Sequence, residues 1–130
     1  MTLYIDSSIY VDVTGDELIE VFKALADPTR FGILGLLRKK SRSRCGPVAI
    51  GEKGLCACDV ESAVGLSQAA VSHHMGILRR AGLVTAQKRG RWTFYRCNDH
   101  VISAAAKALV EHVESGRPAT RLRLRRASNA

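Results

Sequence analysis

The stretch Gly65-Leu66-Ser67-Gln68-Ala69-Ala70-Val71-Ser72-His73-His74-Met75-Gly76-Ile77-Leu78-Arg79-Arg80 decides the fold. Val71, Met75 and Leu78 recur at helical spacing, with His74 beside them, and leave Gln68, Ser72, His73, Arg79 and Arg80 pointing elsewhere. Ser67 is a helix-capping type directly before the periodic run, so the pattern predicts a helix over 68–80. Upstream, about Cys56 to Val64 predicts a shorter helix that Gly65 ends. Two helices across Gly65-Leu66-Ser67 form a helix, a tight turn and a second helix.

Working outward, Leu83 to Lys88 and Trp92 to Cys97 are strand-forming runs on either side of Arg89-Gly90-Arg91, which predicts a β-hairpin. Val101, Ile102, Ala105, Ala108, Leu109 and Val113 then mark a last helix, roughly Asp99 to Glu114. On the N-terminal side, Leu18, Val21, Phe22 and Leu25 mark a first helix from Asp16. Asp27-Pro28 starts a second with a capping acid and a first-turn proline, and Arg38-Lys39-Lys40 suits its negative end. Ser41 to Gly54 is rich in Ser, Arg and Gly and is expected to be a long loop. The expected organisation is an arm over 1–15, one domain over 16–114 and a basic, disordered tail over 115–130. The domain is mainly α with a β-hairpin wing, an α+β winged helix-turn-helix.

A chain of 130 residues, 46% of them hydrophobic, suffices for one compact core but not for two. No apolar run approaches the roughly 20 residues that cross a bilayer, and Met1–Asp6 lacks the marks of an export signal. A cytoplasmic location and no membrane partner are therefore expected. The net charge of +8 favours an anionic partner, although part of it sits in the tail arginines 117, 121, 123, 125 and 126. In a reducing compartment the four cysteines, Cys45, Cys56, Cys58 and Cys97, are expected to be free thiols or ligands.

Polar residues at the start of a helix are placed for direct readout, because such a helix enters the major groove with its N-terminal end. Gln68 can pair with adenine, while Ser72 and His73 can reach base edges or phosphate. A solvated helix face explains any one of these residues equally well. The hairpin tip weighs for function: Lys88, Arg89 and Arg91 concentrate charge on a narrow projection that folding does not need. Double-stranded DNA is the expected partner. Trp92, Phe94 and Tyr95 are expected to anchor the hairpin to the core.

Phe22 to Arg30, Leu66 to Met75, Leu78 to Val84 and Arg89 to Tyr95 together resemble the ArsR/SmtB family of metal-responsive repressors. The resemblance covers nearly all of residues 16–114 and is closest to the family's arsenic-responsive branch. It implies a homodimer built on the first and last helices, bound to an imperfect palindrome and repressing an adjacent operon until an inducer arrives. Apolar stripes at both ends of the domain fit such a seam, and burial within one subunit would also explain them.

Cys56-Ala57-Cys58-Asp59-Val60 resembles the Cys-x-Cys-Asp element of the family's arsenic, antimony, cadmium and lead sensors. Soft thiolates select soft ions, and a helix N-terminus favours ionised thiols. The expected inducer is As(III) or Sb(III), with Cd(II), Pb(II) or Zn(II) as alternatives. On a regular helix, residues two apart point about 200° from each other, so gripping one ion requires the first turn to unwind. Unwinding would displace the reading helix. Some arsenic sensors have a third Cys three residues after the pair, where this chain has Glu61. Cys45 is the candidate third ligand, a two-thiol site is the alternative, and Cys97 is expected to be structural.

The family's acid-and-histidine zinc pattern is not matched by Asp99, His100, Glu111 and His112, so no zinc site is expected there. His73-His74 cannot converge on one helix, and there is neither a phosphate loop nor a Cys-x-x-Cys redox motif, so an enzyme is not expected. A protein-binding adaptor leaves the basic wing unexplained. A repressor that senses oxidants through its cysteines stays open as the alternative to ion sensing.

Overall fold

The computed structural model describes residues 15–39 and 54–115. The expected arm and loop, Cys45, and the tail beyond 115 lie outside the described residues. In chain order the elements are α1 (Gly15–Leu25), α2 (Pro28–Lys39), β1 (Leu55–Cys56), α3 (Ala57–Val64), α4 (Gln68–Arg80), β2 (Val84–Arg89), β3 (Trp92–Cys97) and α5 (Asp99–Ser115). The sheet order is β1-β3-β2, antiparallel throughout.

Local chemistry sets most boundaries. Asp27 caps α2, its Oδ2 accepting the Arg30 backbone N–H at 3.0 Å. Gly65 closes α3 in the left-handed conformation, φ 69°, and its N–H bonds to the Glu61 carbonyl. Ser67 Oγ accepts the Ala70 N–H at 3.2 Å and caps α4. At the far end of α4, the Leu83 N–H reaches back to Leu78 O and the Gly82 N–H to Arg79 O, both at 3.0 Å, which turns the chain into β2.

The core draws on every layer. Val21 of α1, Ile33 of α2, Leu55 of β1, Val60 of α3 and Val71, Met75 and Leu78 of α4 are almost wholly buried, and Leu83 joins them. Ala105 and Ala108 bring α5 onto the same cluster. The face of α4 expected to lock into the core does so.

Two sequence expectations change. The short helix begins at Ala57 rather than Cys56, because Cys56 is extended (φ −64°, ψ 150°) and belongs to a two-residue strand. That strand pairs Leu55 with Tyr95 and Cys56 with Phe94, so the wing sheet has three strands where a hairpin was expected. Gly54 precedes it with φ +149°, and a Cβ there would stand 3.0 Å from the Tyr95 carbonyl oxygen. Glycine is what lets the chain approach β3 so closely.

Candidate functional site

The polar residues of α4 form one surface. Gln68, Ser72 and Arg79 are spaced four and eleven residues apart, so they share a face to within about 40° of helical rotation. All three are exposed, as are His73 and Arg80. The helix N-terminus with its capping Ser67 is exposed too, presenting its first amides toward anything docked there.

The wing rises beside this helix. Arg89 pairs with Trp92 across the two-residue loop Gly90-Arg91, and Gly90 has φ 59°, the positive value that tight hairpin turns require. Lys88, Arg89 and Arg91 are exposed. The Arg91 guanidinium lies 4.7 Å from the Trp92 ring centroid, a cation–π contact that orients the tip. Trp92, Phe94 and Tyr95 are each partly buried along β3, and Tyr95 packs on the core as expected.

The cysteines fall in two places. Cys56 and Cys58 bring their sulfurs to 2.9 Å with α3 intact, since Cys56 stands before the helix rather than in it. The expectation that the first turn must unwind before the sulfurs can meet is therefore corrected. Cys56 is 3% exposed and Cys58 is half-buried, so the pair is less open than a free helix terminus. Cys56 is a free thiol. Among the described residues no three His, Cys, Asp or Glu side chains converge as a metal cluster. Cys45, the expected third ligand, lies outside the described residues.

Cys97 stands apart, about 10 Å along β3 from the residue opposite Cys56. It is a free thiol whose Sγ donates to the Leu34 carbonyl at 3.7 Å, and burial pushes its pKa up. Asp99 and His100 are exposed at the start of α5, where Asp99 pairs with Arg38, and His112 is exposed near its end.

One residue of consequence escaped the sequence reading. Arg30 bonds backward through Nε to Ala24 O at 2.6 Å and contacts His74 Nδ1 at 3.3 Å. Its partners lie six residues before and 44 after it, and no local spacing signals such a pairing.

A helix pair with a polar leading edge and a basic three-stranded wing is the architecture of a DNA-reading module. Residues 48–86 match the family model described as "Bacterial regulatory protein, arsR family". The arsenical resistance operon repressor of Escherichia coli is 40% identical over 93 residues, covering 72% of this chain and 69% of the relative. The chain belongs to the ArsR family. The cadmium resistance transcriptional regulatory protein CadC homolog of Staphylococcus aureus is 33% identical over 99 residues, or 75% of this chain and 72% of that one. Among solved structures, a homodimeric winged helix-turn-helix DNA-binding domain from Mycobacterium bovis superposes with a TM-score of 0.54 at 28% identity, over 77% of this chain and 84% of that one. This ArsR-family member is thus a winged helix-turn-helix, DNA-binding transcriptional repressor and not an enzyme. No helix among the described residues is long and apolar enough to cross a membrane.

Proposed function

We propose that this repressor leaves its operator when a soft ion, As(III) or Sb(III) before Cd(II), Pb(II) or Zn(II), binds the thiolates of Cys56 and Cys58. The observation that carries the reading is the 2.9 Å approach of the two sulfurs at the junction of β1 and α3. The donor set fits, since paired sulfurs favour soft, thiophilic ions over hard ones. Relatives named for arsenical and for cadmium resistance support the class of inducer.

The mechanism is mechanical. An ion bonded to both sulfurs at about 2.3 Å would hold them farther apart than the 2.9 Å at which they now stand. Cys56 is held by its pairing with Phe94 of the wing, and Cys58 lies in the first turn of α3, which packs on α4. Spreading the pair therefore strains both DNA-contacting elements, and a state with weaker DNA affinity is favoured in proportion to that difference.

On DNA, the reading assigns Gln68, Ser72 and His73 to base edges or nearby phosphate. Arg79, Arg80, Lys88, Arg89 and Arg91 fall on the backbone or in the minor groove. The functional unit is a homodimer on an imperfect palindrome. Its seam is α1 with α5, where Ile19, Leu109, Val110 and Val113 remain 40–69% exposed in the single chain. The homodimeric M. bovis domain supports this reading.

The test uses fully reduced protein on its own upstream DNA, titrated with arsenite, antimonite and cadmium, and followed by fluorescence anisotropy. Apparent DNA affinity should fall by about 5- to 150-fold, the usual span of allosteric coupling. Cys56→Ser and Cys58→Ser should bind DNA yet ignore the ion, and Cys45→Ser should separate a three-thiol from a two-thiol site. Unchanged affinity at ion saturation overturns the proposal.

A second reading, thiol redox sensing, is favoured by the same 2.9 Å approach, which sets two sulfurs close enough to react with one another on oxidation. Release by peroxide but not by arsenite would select it.

A further inference from the structure

We infer that Arg30 is a positioning residue that sets the angle between the reading helix α4 and helix α1, and thereby the half-site spacing that the repressor accepts. The inference rests on the two-fold docking proposed above. Arg30 lies on α2, apart from the exposed polar face of α4. Its guanidinium is partly buried where three helices meet and makes a different contact with each arm.

Nε donates to Ala24 O at 2.6 Å and Nη2 to Lys23 O at 3.4 Å, both in the last turn of α1. Carbonyls at a helix end lack a full set of intrahelical partners, and a cation suits the negative end of the dipole. The remaining arm, Nη1, lies 3.3 Å from His74 Nδ1 on α4. Because a guanidinium can only donate, this contact requires Nδ1 to accept, with the ring hydrogen on Nε2. Asp27 completes the knot: its Oδ2 bonds the Arg30 backbone N–H and lies 4.0 Å from the same imidazole nitrogen.

The fork of an arginine is planar and rigid, so contacts made by its separate nitrogens fix directions as well as distances. Lysine has one nitrogen on a flexible stem and cannot hold the end of α1 and the imidazole of α4 in a set relation. His74 adjoins the exposed His73 and lies two residues beyond Ser72 on the reading helix. A change in the Arg30 contact therefore tilts the surface that enters the groove. In a dimer joined through α1 and α5, each reading helix is referenced to the two-fold axis through this knot. One base pair changes the half-site separation by about 3.4 Å and the rotation by about a tenth of a turn.

The experiment measures affinity for the native operator and for two versions with one base pair added or removed at its centre. The wild type should prefer native spacing. Arg30→Lys and Arg30→Gln should shrink that preference by about tenfold or more, the size expected for losing a charge-assisted hydrogen bond. Affinity for a random duplex should stay unchanged. His74→Leu cuts only the α4 arm and should act in the same direction, which keeps the test valid if an Arg30 variant folds poorly. Loss of folded protein lowers all affinities together and leaves the ratio intact. Variants that keep wild-type affinity for the random duplex, and so are folded, yet retain the wild-type spacing ratio overturn the role of Arg30. A wild type indifferent to spacing overturns the two-fold reading, and this inference with it.

Discussion

Asp27 uses one carboxylate both to start α2 and to face His74. The Arg30 backbone N–H first, with the Arg30 charge behind it, holds its pKa below the usual carboxylate value against the upward push of desolvation. A carboxylate that is easier to ionise in the folded chain stabilises the fold at pH values above its unfolded pKa. That contribution is lost as pH falls through the lower, folded value. Asp27→Asn keeps the capping oxygen but removes the charge, so its stability deficit at neutral pH should disappear as pH drops below the carboxylate range. Urea unfolding at a series of pH values checks this, and a deficit that persists in acid would contradict it. The cap was legible in Asp27-Pro28, because capping is a local matter. Arg30 was not, since its meaning depends on where the ends of two other helices come to rest.

At the scale of elements, the sequence carried the helices and the hairpin because each has its own period, cap and turn. The run 68–80 is a helix over the expected residues, and its capping Ser67 bonds the third amide beyond it. Ser67→Ala should cost about 1 kcal/mol of stability and fray the leading turn that carries Gln68. Thermal denaturation reads the first effect and operator affinity the second, and Ser67→Asp should restore both. β1 was illegible for an equally physical reason. Two residues have no periodicity, and Leu55-Cys56 becomes a strand only because β3 is there to pair with it. The site followed suit: cysteine identity suggested a soft-ion ligand, but the approach of the sulfurs depends on a strand that only tertiary structure creates.

For the whole molecule, the apolar residues of α5 divide between two surroundings. Ala105 and Ala108 are buried in the chain's own core, whereas Val113 is 69% exposed and Leu109 40% exposed. Apolar side chains left in water along one helix call for a partner, and in the proposed homodimer a second copy of α1 and α5 supplies one. Leu109→Asp together with Val113→Asp should yield a monomer with an unchanged far-ultraviolet circular dichroism spectrum and greatly weakened operator binding. Sedimentation velocity decides the matter, and a persistent dimer would place the seam elsewhere. Both stripes were visible in the sequence, but periodicity alone could not say which apolar positions face inward and which face another chain.

The strand that carries Cys56 also restricts how such a switch can be rebuilt. Successive side chains along a ribbon alternate between its two sides, so a sulfur moved by one position would emerge on the opposite face, away from Cys58. On the reading proposed above, deleting that sulfur should leave a repressor that no longer responds to the ion, and shifting it by one position should do no better. Transplanting the sensor into a related scaffold therefore means carrying over the ribbon, Gly54 included, along with the cysteines.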